Sequence, residues 1–226
     1  MSLILNIETS SSNCSVSISE YENIIAIQEE NFDKFSHSKF LHVFIEKLFK
    51  KIKKTPRDLS AVSVSAGPGS YTGLRIGVSS AKGICFALNV PLISIDTMQI
   101  LASKANQKVG YIISAIDARR DEIYYSVFEA NNIKIPKKIT KTDSLILSHN
   151  SFLDFSKLSK VYFIGNCNEK IAKFINHKNI LYSDFTLPSA VDMAKLSYLK
   201  FLKNDFENLS EFQPRYLKDF EGKKTN

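Results

Sequence analysis

The fold is decided by one stretch of the 226-residue sequence, Gly67-Pro68-Gly69-Ser70-Tyr71-Thr72-Gly73-Leu74-Arg75-Ile76-Gly77. An apolar run precedes this stretch and a helical pattern to about Leu88 follows it, so we predict a strand, a glycine-rich loop and a helix. The N-terminus of such a helix attracts anions, which makes the loop a candidate phosphate site. However, both the Gly-Lys-Ser/Thr ending of a P-loop and the Gly-X-Gly-X-X-Gly spacing of dinucleotide folds are missing. Packing therefore explains the glycines better, and direct phosphate binding stays open as the alternative.

Small residues form a stripe along the predicted helix 73–88. Gly73, Gly77 and Ala81 lie four residues apart and therefore share one face of the helix. Each glycine inside a helix costs about 1 kcal/mol relative to alanine, a loss that close contact with a neighbouring helix can offset. The neighbour is either the helix predicted at 36–54 or a helix of a second protein, and the sequence leaves both open.

The order of elements repeats along the chain. Leu3–Glu8 and Ile112–Asp117 both read as apolar strands that end in an acid and enter a hairpin. Val161–Gly165 later repeats the strand-into-glycine pattern of 61–67. The repeat predicts a duplicated α/β fold with mixed sheets and crossover helices.

Two lobes follow from this repeat, an N-terminal lobe at 1–104 and a C-terminal lobe at 105–226. A last long helix, predicted at 189–203, lies in the C-terminal lobe by sequence and is free to pack back on the first lobe.

Composition excludes several classes of protein. Cys14, Cys85 and Cys167 are widely spaced and odd in number, which argues against a disulfide framework and against a Cys-X-X-Cys metal site. No apolar run approaches the roughly 18 residues of a membrane span, and residues 1–10 lack the basic start of a signal peptide. We therefore expect a cytoplasmic protein without membrane contact.

The formal net charge of +7 invites a nucleic-acid hypothesis. Most of the excess comes from two groups of lysines, Lys47, Lys50, Lys51, Lys53 and Lys54, and Lys137, Lys138 and Lys141. A solvated helix face and loop would look the same. Aromatic residues do not alternate with these lysines as a base-stacking surface would. The charge is therefore compatible with RNA nearby without establishing contact.

The glycine-rich stretch, continued to Gly83, resembles the TsaB (YeaZ) family. Four further segments carry the same resemblance: Ile7-Glu8-Thr9-Ser10, His37-Ser38-Lys39-Phe40-Leu41, Ile116-Asp117-Ala118-Arg119-Arg120 and Pro214-Arg215-Tyr216-Leu217. The resemblance spans the chain, is densest over 1–120 and is weaker from 130 to 185. Only the 67–83 block is highly specific.

The resemblance implies an actin-like (ASKHA, ribonuclease H-like) two-lobe fold. It also implies a dimerisation subunit of the complex that forms N6-threonylcarbamoyladenosine (t6A) at position 37 of tRNAs reading ANN codons. The expected partners are TsaD, in a heterodimer through helices 36–54 and 73–88, the ATPase TsaE, and tRNA indirectly through the complex, with a homodimer as the option in isolation. The candidate interface residues are Gly73, Gly77, Ala81, Leu41, Phe44 and Leu48.

Actin-fold enzymes hold phosphate and magnesium at the first hairpin, which corresponds here to Glu8, Thr9 and Ser10. An acid before a serine-rich turn is, however, ordinary turn chemistry. The second phosphate turn starts at Gly165, and the side chain of Cys167 hinders backbone approach to a phosphate. The resemblance therefore implies a vestigial nucleotide site.

The catalytic relative TsaD holds its metal with a His-X-X-X-His pair. The four histidines of this chain, at positions 37, 42, 149 and 177, lack that spacing. We therefore expect no catalytic residues, no metal and no cofactor of its own in this chain, with ATP and a metal ion in the partners.

Two rival functions stay open. One is a free-standing actin-fold phosphotransferase or carbamoyltransferase, and the other is a homodimeric RNA-binding module that rests on net charge alone. The charged segment Asp117–Glu122 reads as a self-compensated exposed hairpin, with contact to a partner or RNA as the alternative. Asp121 is expected to occupy a left-handed position in its turn.

Overall fold

The computed structural model describes residues 2–32, 36–105, 109–132, 135–184 and 187–217. The first sheet contains β1 (Leu3–Glu8), β2 (Asn13–Glu20), β3 (Asn23–Asn31), β4 (Ala61–Ser65) and β5 (Leu92–Ile95) in the order β3-β2-β1-β4-β5. Strand β1 pairs antiparallel with β2 and parallel with β4. The sheet is therefore mixed, as the sequence predicts.

The second sheet repeats this order. Its strands are β6 (Val109–Asp117), β7 (Glu122–Asn131), β8 (Lys137–Lys138), β9 (Asp143–Ile146), β10 (Val161–Ile164) and β11 (Ile180–Tyr182). The order β8-β7-β6-β10-β11 is antiparallel on one side of β6 and parallel on the other, and β9 also pairs with β7. The two matching sheets confirm the duplicated actin-like fold.

Helices connect the strands. They are α1 (His37–Ile52), α2 (Tyr71–Leu88), α3 (Thr97–Lys104), α4 (Leu153–Leu158), α5 (Asn168–Phe174) and α6 (Ala194–Leu202), with a short 3-10 helix at Pro56–Asp58. The predicted last helix begins too early, because 189–193 forms successive turns with hydrogen bonds from residue i+3 to residue i. No helix in the described ranges is long and apolar enough to cross a membrane.

Both faces of the first sheet are covered, which explains why β1, β2, β4 and β5 are buried along almost their whole length. Along β1, Leu5 and Ile7 face a core shared with α1 and α2, whereas Ile4 faces a core shared with Met193 and Leu196. Side chains alternate in this way because successive residues of a strand point to opposite faces. Helix α6 thus packs on the first sheet, although it follows the second sheet in the sequence.

The segment 205–217, called the terminal segment below, also returns to the first lobe. The Glu207 N–H donates to the Leu92 carbonyl at 2.9 Å, and the Arg215 N–H donates to the Ala66 carbonyl at 2.7 Å. Phe212 is buried in the core beneath α2. Strands of the first sheet lie within 3–95 and those of the second within 109–182. The predicted lobe boundary at 104/105 falls between these two ranges and stays a prediction.

Candidate functional site

The glycine-rich loop lies directly on the β1–β2 turn. The Ser70 N–H donates to the Ser10 carbonyl at 2.6 Å. A Cβ built at Gly69 would fall closer than 3.0 Å to that same carbonyl oxygen. The loop needs glycine because the backbone of the first hairpin occupies the space that a side chain would need. No ligand is required to explain it.

The small-residue stripe of α2 faces the interior of the chain, which corrects the interface assignment. Gly73, Gly77 and Ala81 are all buried. Cβ atoms built at Gly73 and Gly77 would fall closer than 3.0 Å to the Thr9 carbonyl and the Thr9 hydroxyl, and the Thr9 hydroxyl donates to the Gly73 carbonyl at 2.8 Å. The closest neighbour is thus the β1–β2 turn, and of the two helices considered from the sequence α1 comes next, with its His37 side chain 3.3 Å from the Cβ position of Gly73.

The apolar face of α1 is also part of the core. Leu41, Phe44 and Leu48 are each no more than 2% exposed and belong to the cluster between α1, α2 and the first sheet. They were candidates for a partner interface, but the lobe's own core already covers them. The reason is that a single sequence does not show which apolar face is satisfied within the chain.

A different face of α1 and α2 is open to solvent. Phe86 is 83% exposed, Val43 is 42% exposed, and a Cβ built at Gly83 would have no neighbouring atom within 4 Å. His42 and Ser80 join the two helices through a hydrogen bond of 3.1 Å. We call Val43, Gly83 and Phe86 the open helix face. Sequence reasoning missed it, although its signal was available as an aromatic residue outside the apolar stripe.

Glu8 is fully buried at the end of β1. Burial raises the pKa of its carboxyl from 4.5 to about 7, because the charged form loses its hydration. Hydrogen bonds from Ser10 lower the pKa in part, and the Ser10 N–H donates to Glu8 Oε1 at 2.5 Å. The acid is therefore enclosed within the first lobe, with Oε1 bonded to its own turn and Oε2 without a hydrogen-bond partner among the described residues.

The second turn is closed as well. A Cβ built at Gly165 would fall closer than 3.0 Å to the Ala115 carbonyl, so the close passage of β6 explains this glycine. Asn166 Oδ1 accepts a hydrogen bond from the Asp117 N–H at 2.9 Å. Cys167 is buried at the start of α5. Close packing within the chain therefore accounts for the glycines at both turns.

The β6–β7 hairpin differs from its predicted form. Arg119 and Arg120 have φ of 70° and 50°, so these two residues occupy the left-handed region that was assigned to Asp121. Asp117 pairs with Lys170 of α5, and its Oδ1 also accepts from the Arg119 N–H at 2.7 Å. The negative charge of Asp117 is thus compensated partly by α5 and not only within the hairpin. Its partner Lys170 lies 53 residues away in sequence.

The histidines lie in ordinary packing environments. His37 Nε2 lies 2.7 Å from the Ser11 carbonyl oxygen, and His149 Nδ1 lies 2.7 Å from the Phe174 carbonyl oxygen. Burial lowers the pKa of His37. Within the described ranges, no group of three or more histidine, cysteine or acidic side chains could hold a metal ion.

The two lysine groups differ in environment. Lys47, Lys50, Lys51 and Lys53 are exposed on α1 and just beyond it, and Lys50 pairs with Glu46 one turn earlier. Lys138, by contrast, is partly covered and donates to Asp96 Oδ2 at 2.8 Å. The solvated-loop interpretation is therefore wrong for Lys138, which joins the second lobe to the first.

Comparison with known proteins adds the family context. The family model described as "TsaD: tRNA N6-adenosine threonylcarbamoyltransferase" matches residues 32–225. The "tRNA threonylcarbamoyladenosine biosynthesis protein TsaB" of Buchnera aphidicola subsp. Schizaphis graminum is 30% identical, over 84% of this chain and 90% of the relative. The protein of the same name from Haemophilus influenzae is 24% identical, over 96% of this chain and 93% of the relative.

Solved structures agree on the fold. "YeaZ from Pseudomonas aeruginosa" superposes with a TM-score of 0.84 at 22% identity and covers 96% of this chain and 100% of that one. A second Pseudomonas aeruginosa structure, of a protein "with similarity to peptidase YEAZ", gives a TM-score of 0.86 with the same identity and coverage.

Proposed function

The chain belongs to the TsaB (YeaZ) family of tRNA threonylcarbamoyladenosine biosynthesis proteins, and from that premise we propose that it is the non-catalytic dimerisation subunit of the complex. In this role it binds TsaD and stabilises the active form of that enzyme, which modifies adenosine 37 of tRNAs reading ANN codons. The observation that carries the proposal is the closed first hairpin, whose polar groups are bonded to one another and to the chain's own α2 and its N-cap.

The closure follows from three hydrogen bonds. Each of them uses a group of the first hairpin. The Ser10 N–H donates to Glu8, the Ser70 N–H donates to the Ser10 carbonyl, and the Thr9 hydroxyl donates to the Gly73 carbonyl. A nucleotide at this hairpin would have to compete with these hydrogen bonds. The buried Glu8 carboxyl, with its raised pKa, is compatible with a structural role in the turn. It needs no catalytic explanation.

The open helix face supports partner binding. Phe86 exposes most of a large aromatic side chain, and aromatic residues often supply much of the binding energy of a protein interface. Gly83 allows a partner helix to approach the α2 backbone closely, because no neighbour fills the space beside it. We assign the TsaD contact to Val43, Gly83 and Phe86, in place of the buried stripe.

Nucleotide and metal then belong to the partners in this proposal. TsaD would carry the metal site and TsaE the ATPase activity, and tRNA would contact the complex mainly through them. A homodimer of isolated chains would use the same open helix face, since a free chain leaves Phe86 without a partner.

Co-purification tests the proposal. A tagged chain expressed with TsaD of the same organism should retain TsaD through gel filtration as a complex of defined mass. The matched control carries Leu158→Ala, which removes an exposed apolar side chain of α4 in the second lobe. Failure of both the wild-type chain and this control to retain TsaD would contradict the proposal.

The rival enzyme hypothesis has one supporting observation, namely that the matching family model is described as a transferase. We expect the purified chain to show no ATP turnover and no carbamoyl transfer above a blank. Steady turnover that Glu8→Gln abolishes, in a preparation free of TsaD, would favour the enzyme.

A further inference from the structure

Two adjoining cavities lie where the first lobe, the second lobe and the terminal segment meet. The larger has a volume of about 520 Å³ and the smaller about 370 Å³. Both are lined by Asp96, Lys138 and Arg215, so we treat them as one space, the interlobe cleft. These volumes are typical of small-molecule sites, and none of the lining residues belongs to α1 or α2.

The wall of the larger cavity carries excess positive charge. Asp96 is already engaged, since its Oδ1 accepts from the Met98 N–H at 2.8 Å and its Oδ2 accepts from Lys138 Nζ at 2.8 Å. Arg215 lies farther from the same carboxylate, at 3.8 Å, and Lys141 lines the cavity from the second lobe. One carboxylate thus faces three cations, and an anionic ligand would balance the difference.

The smaller cavity combines apolar and polar side chains. Its apolar lining includes Ile135 and Leu199, which is 37% exposed, whereas Ile95 and Leu196 lie almost fully buried behind them. Lys200 also lines this cavity and pairs with Asp205 at 3.1 Å. The larger cavity adds the Thr140 and Thr142 side chains beside the cations. Cations beside exposed apolar side chains match a ligand that has a charged group at one end and an apolar or planar group at the other.

We propose that the interlobe cleft binds a small organic anion. Its phosphate, carboxylate or sulfonate group lies beside Lys141 and Arg215, and its apolar or planar part lies against the partly exposed Ile135 and Leu199. Arg215 belongs to the terminal segment, so this segment completes the site as well as covering the first lobe. The inference does not depend on TsaD binding, because the isolated chain contains all of these residues.

The probe is 8-anilinonaphthalene-1-sulfonate, a sulfonate joined to aromatic rings, which fluoresces on entering an apolar site. Titration of the full chain should show saturable binding. Arg215→Gln and Lys141→Gln should each weaken the affinity about tenfold, the effect of losing one charge-assisted contact. Lys51→Gln, an exposed lysine of α1, should leave the affinity unchanged.

A neutral analogue, N-phenyl-1-naphthylamine, separates the charged from the apolar contribution. It should bind more weakly than the sulfonate and should not respond to Arg215→Gln or Lys141→Gln. Inorganic phosphate should compete with the sulfonate and not with the neutral probe. Circular dichroism should confirm that each variant is folded, and Lys141 is exposed, so its variant keeps the test valid if Arg215→Gln does not fold.

Two results would overturn the inference. One is equal binding of the two probes with no response to either cation variant. The other is loss of sulfonate binding in Phe86→Ala alone, which would place the probe on the open helix face and not in the interlobe cleft.

Discussion

The side chain of Thr9 fills the space beside Gly77. A Cβ built at Gly77 would fall closer than 3.0 Å to the Thr9 hydroxyl oxygen, and that hydroxyl is held by its hydrogen bond to the Gly73 carbonyl. The first hairpin and α2 are therefore locked together through a contact between residues 64 positions apart in the chain. Glycine is required there by the fold of the lobe itself.

Gly77→Leu should consequently destabilise the isolated chain. Overpacking of a core typically costs about 1–3 kcal/mol, and a lowered melting temperature would report it. A stripe that faced a partner helix would instead give an intact fold with lost partner binding. Gly83→Leu is the matched control: it should melt at the wild-type temperature or above, because the space is open and leucine favours helix by up to about 1 kcal/mol over glycine. Equal melting temperatures for all three proteins would refute the packing argument.

Binding to TsaD should respond to the open helix face. Phe86→Ala should weaken the affinity by more than tenfold, since a buried aromatic contact of about 2 kcal/mol would be lost. Gly83→Leu should do the same by keeping the partner helix at a distance. Leu158→Ala, which removes an exposed leucine of α4, serves as the control in calorimetric titrations. An unchanged affinity in both open-face variants would assign TsaD to another surface.

Glu8 should make stability fall as pH rises. Its pKa is about 7 in the folded chain against 4.5 in the unfolded chain, so between these values the folded state holds more protons than the unfolded state. The stabilisation is complete below about pH 4.5 and is lost by about pH 7, an effect on the order of 3 kcal/mol. Partly buried Asp192, with a pKa raised to about 6 mainly by desolvation, contributes with the same sign.

Urea unfolding between pH 4.5 and 8 measures this effect. Glu8→Gln should flatten the decline in the free energy of unfolding, because glutamine mimics the protonated carboxyl and does not titrate. The difference between the pH dependences of the free energy of unfolding of the two proteins gives the contribution of Glu8 apart from those of Asp192 and His37. A parallel pH dependence in wild type and variant would show that Glu8 titrates normally.

The three thiols should be inert in the folded chain. Burial raises the pKa values of Cys14, Cys85 and Cys167 to about 12, and each side chain is at most 3% exposed. Since the thiolate is the reactive form, a disulfide reagent at pH 8 should label them slowly without denaturant and at once in urea. Rapid labelling of one thiol under native conditions would identify a site that opens locally.

Neutralising the lysines of α1 should have little effect on tRNA binding. Lys47, Lys50 and Lys51 are exposed to solvent, so we expect replacement by glutamine to leave the affinity of the assembled complex for tRNA and its salt dependence nearly unchanged. Loss of tRNA affinity with a flatter salt dependence and intact TsaD binding would instead indicate phosphate contacts.

Much of the candidate functional site could not be predicted from the sequence. The stripe of Gly73, Gly77 and Ala81 was correctly read as a sign of close packing, but its partner was assigned to a helix because the β1–β2 turn shows no pattern that points to α2. Phe86 and Gly83 were missed, although an aromatic residue outside the apolar stripe was a visible signal, because the helical pattern does not show which residues stay exposed in the folded chain. Asp96 was missed because its partners Lys138 and Arg215 are remote in sequence.

The sequence by itself determined the local structure and its duplication. The local structure includes apolar runs of the length of a β-strand, hairpins that follow an acidic residue, and the unit of strand, glycine-rich loop and helix. All of these depend on residues close together in the chain, so their periodicity can be read from the sequence. Tertiary structure alone decided which face of α2 is buried, where α6 packs, and how the terminal segment meets both lobes at Asp96. Each of these depends on contacts between distant segments, and their free energy comes from shape and burial that local pattern does not encode.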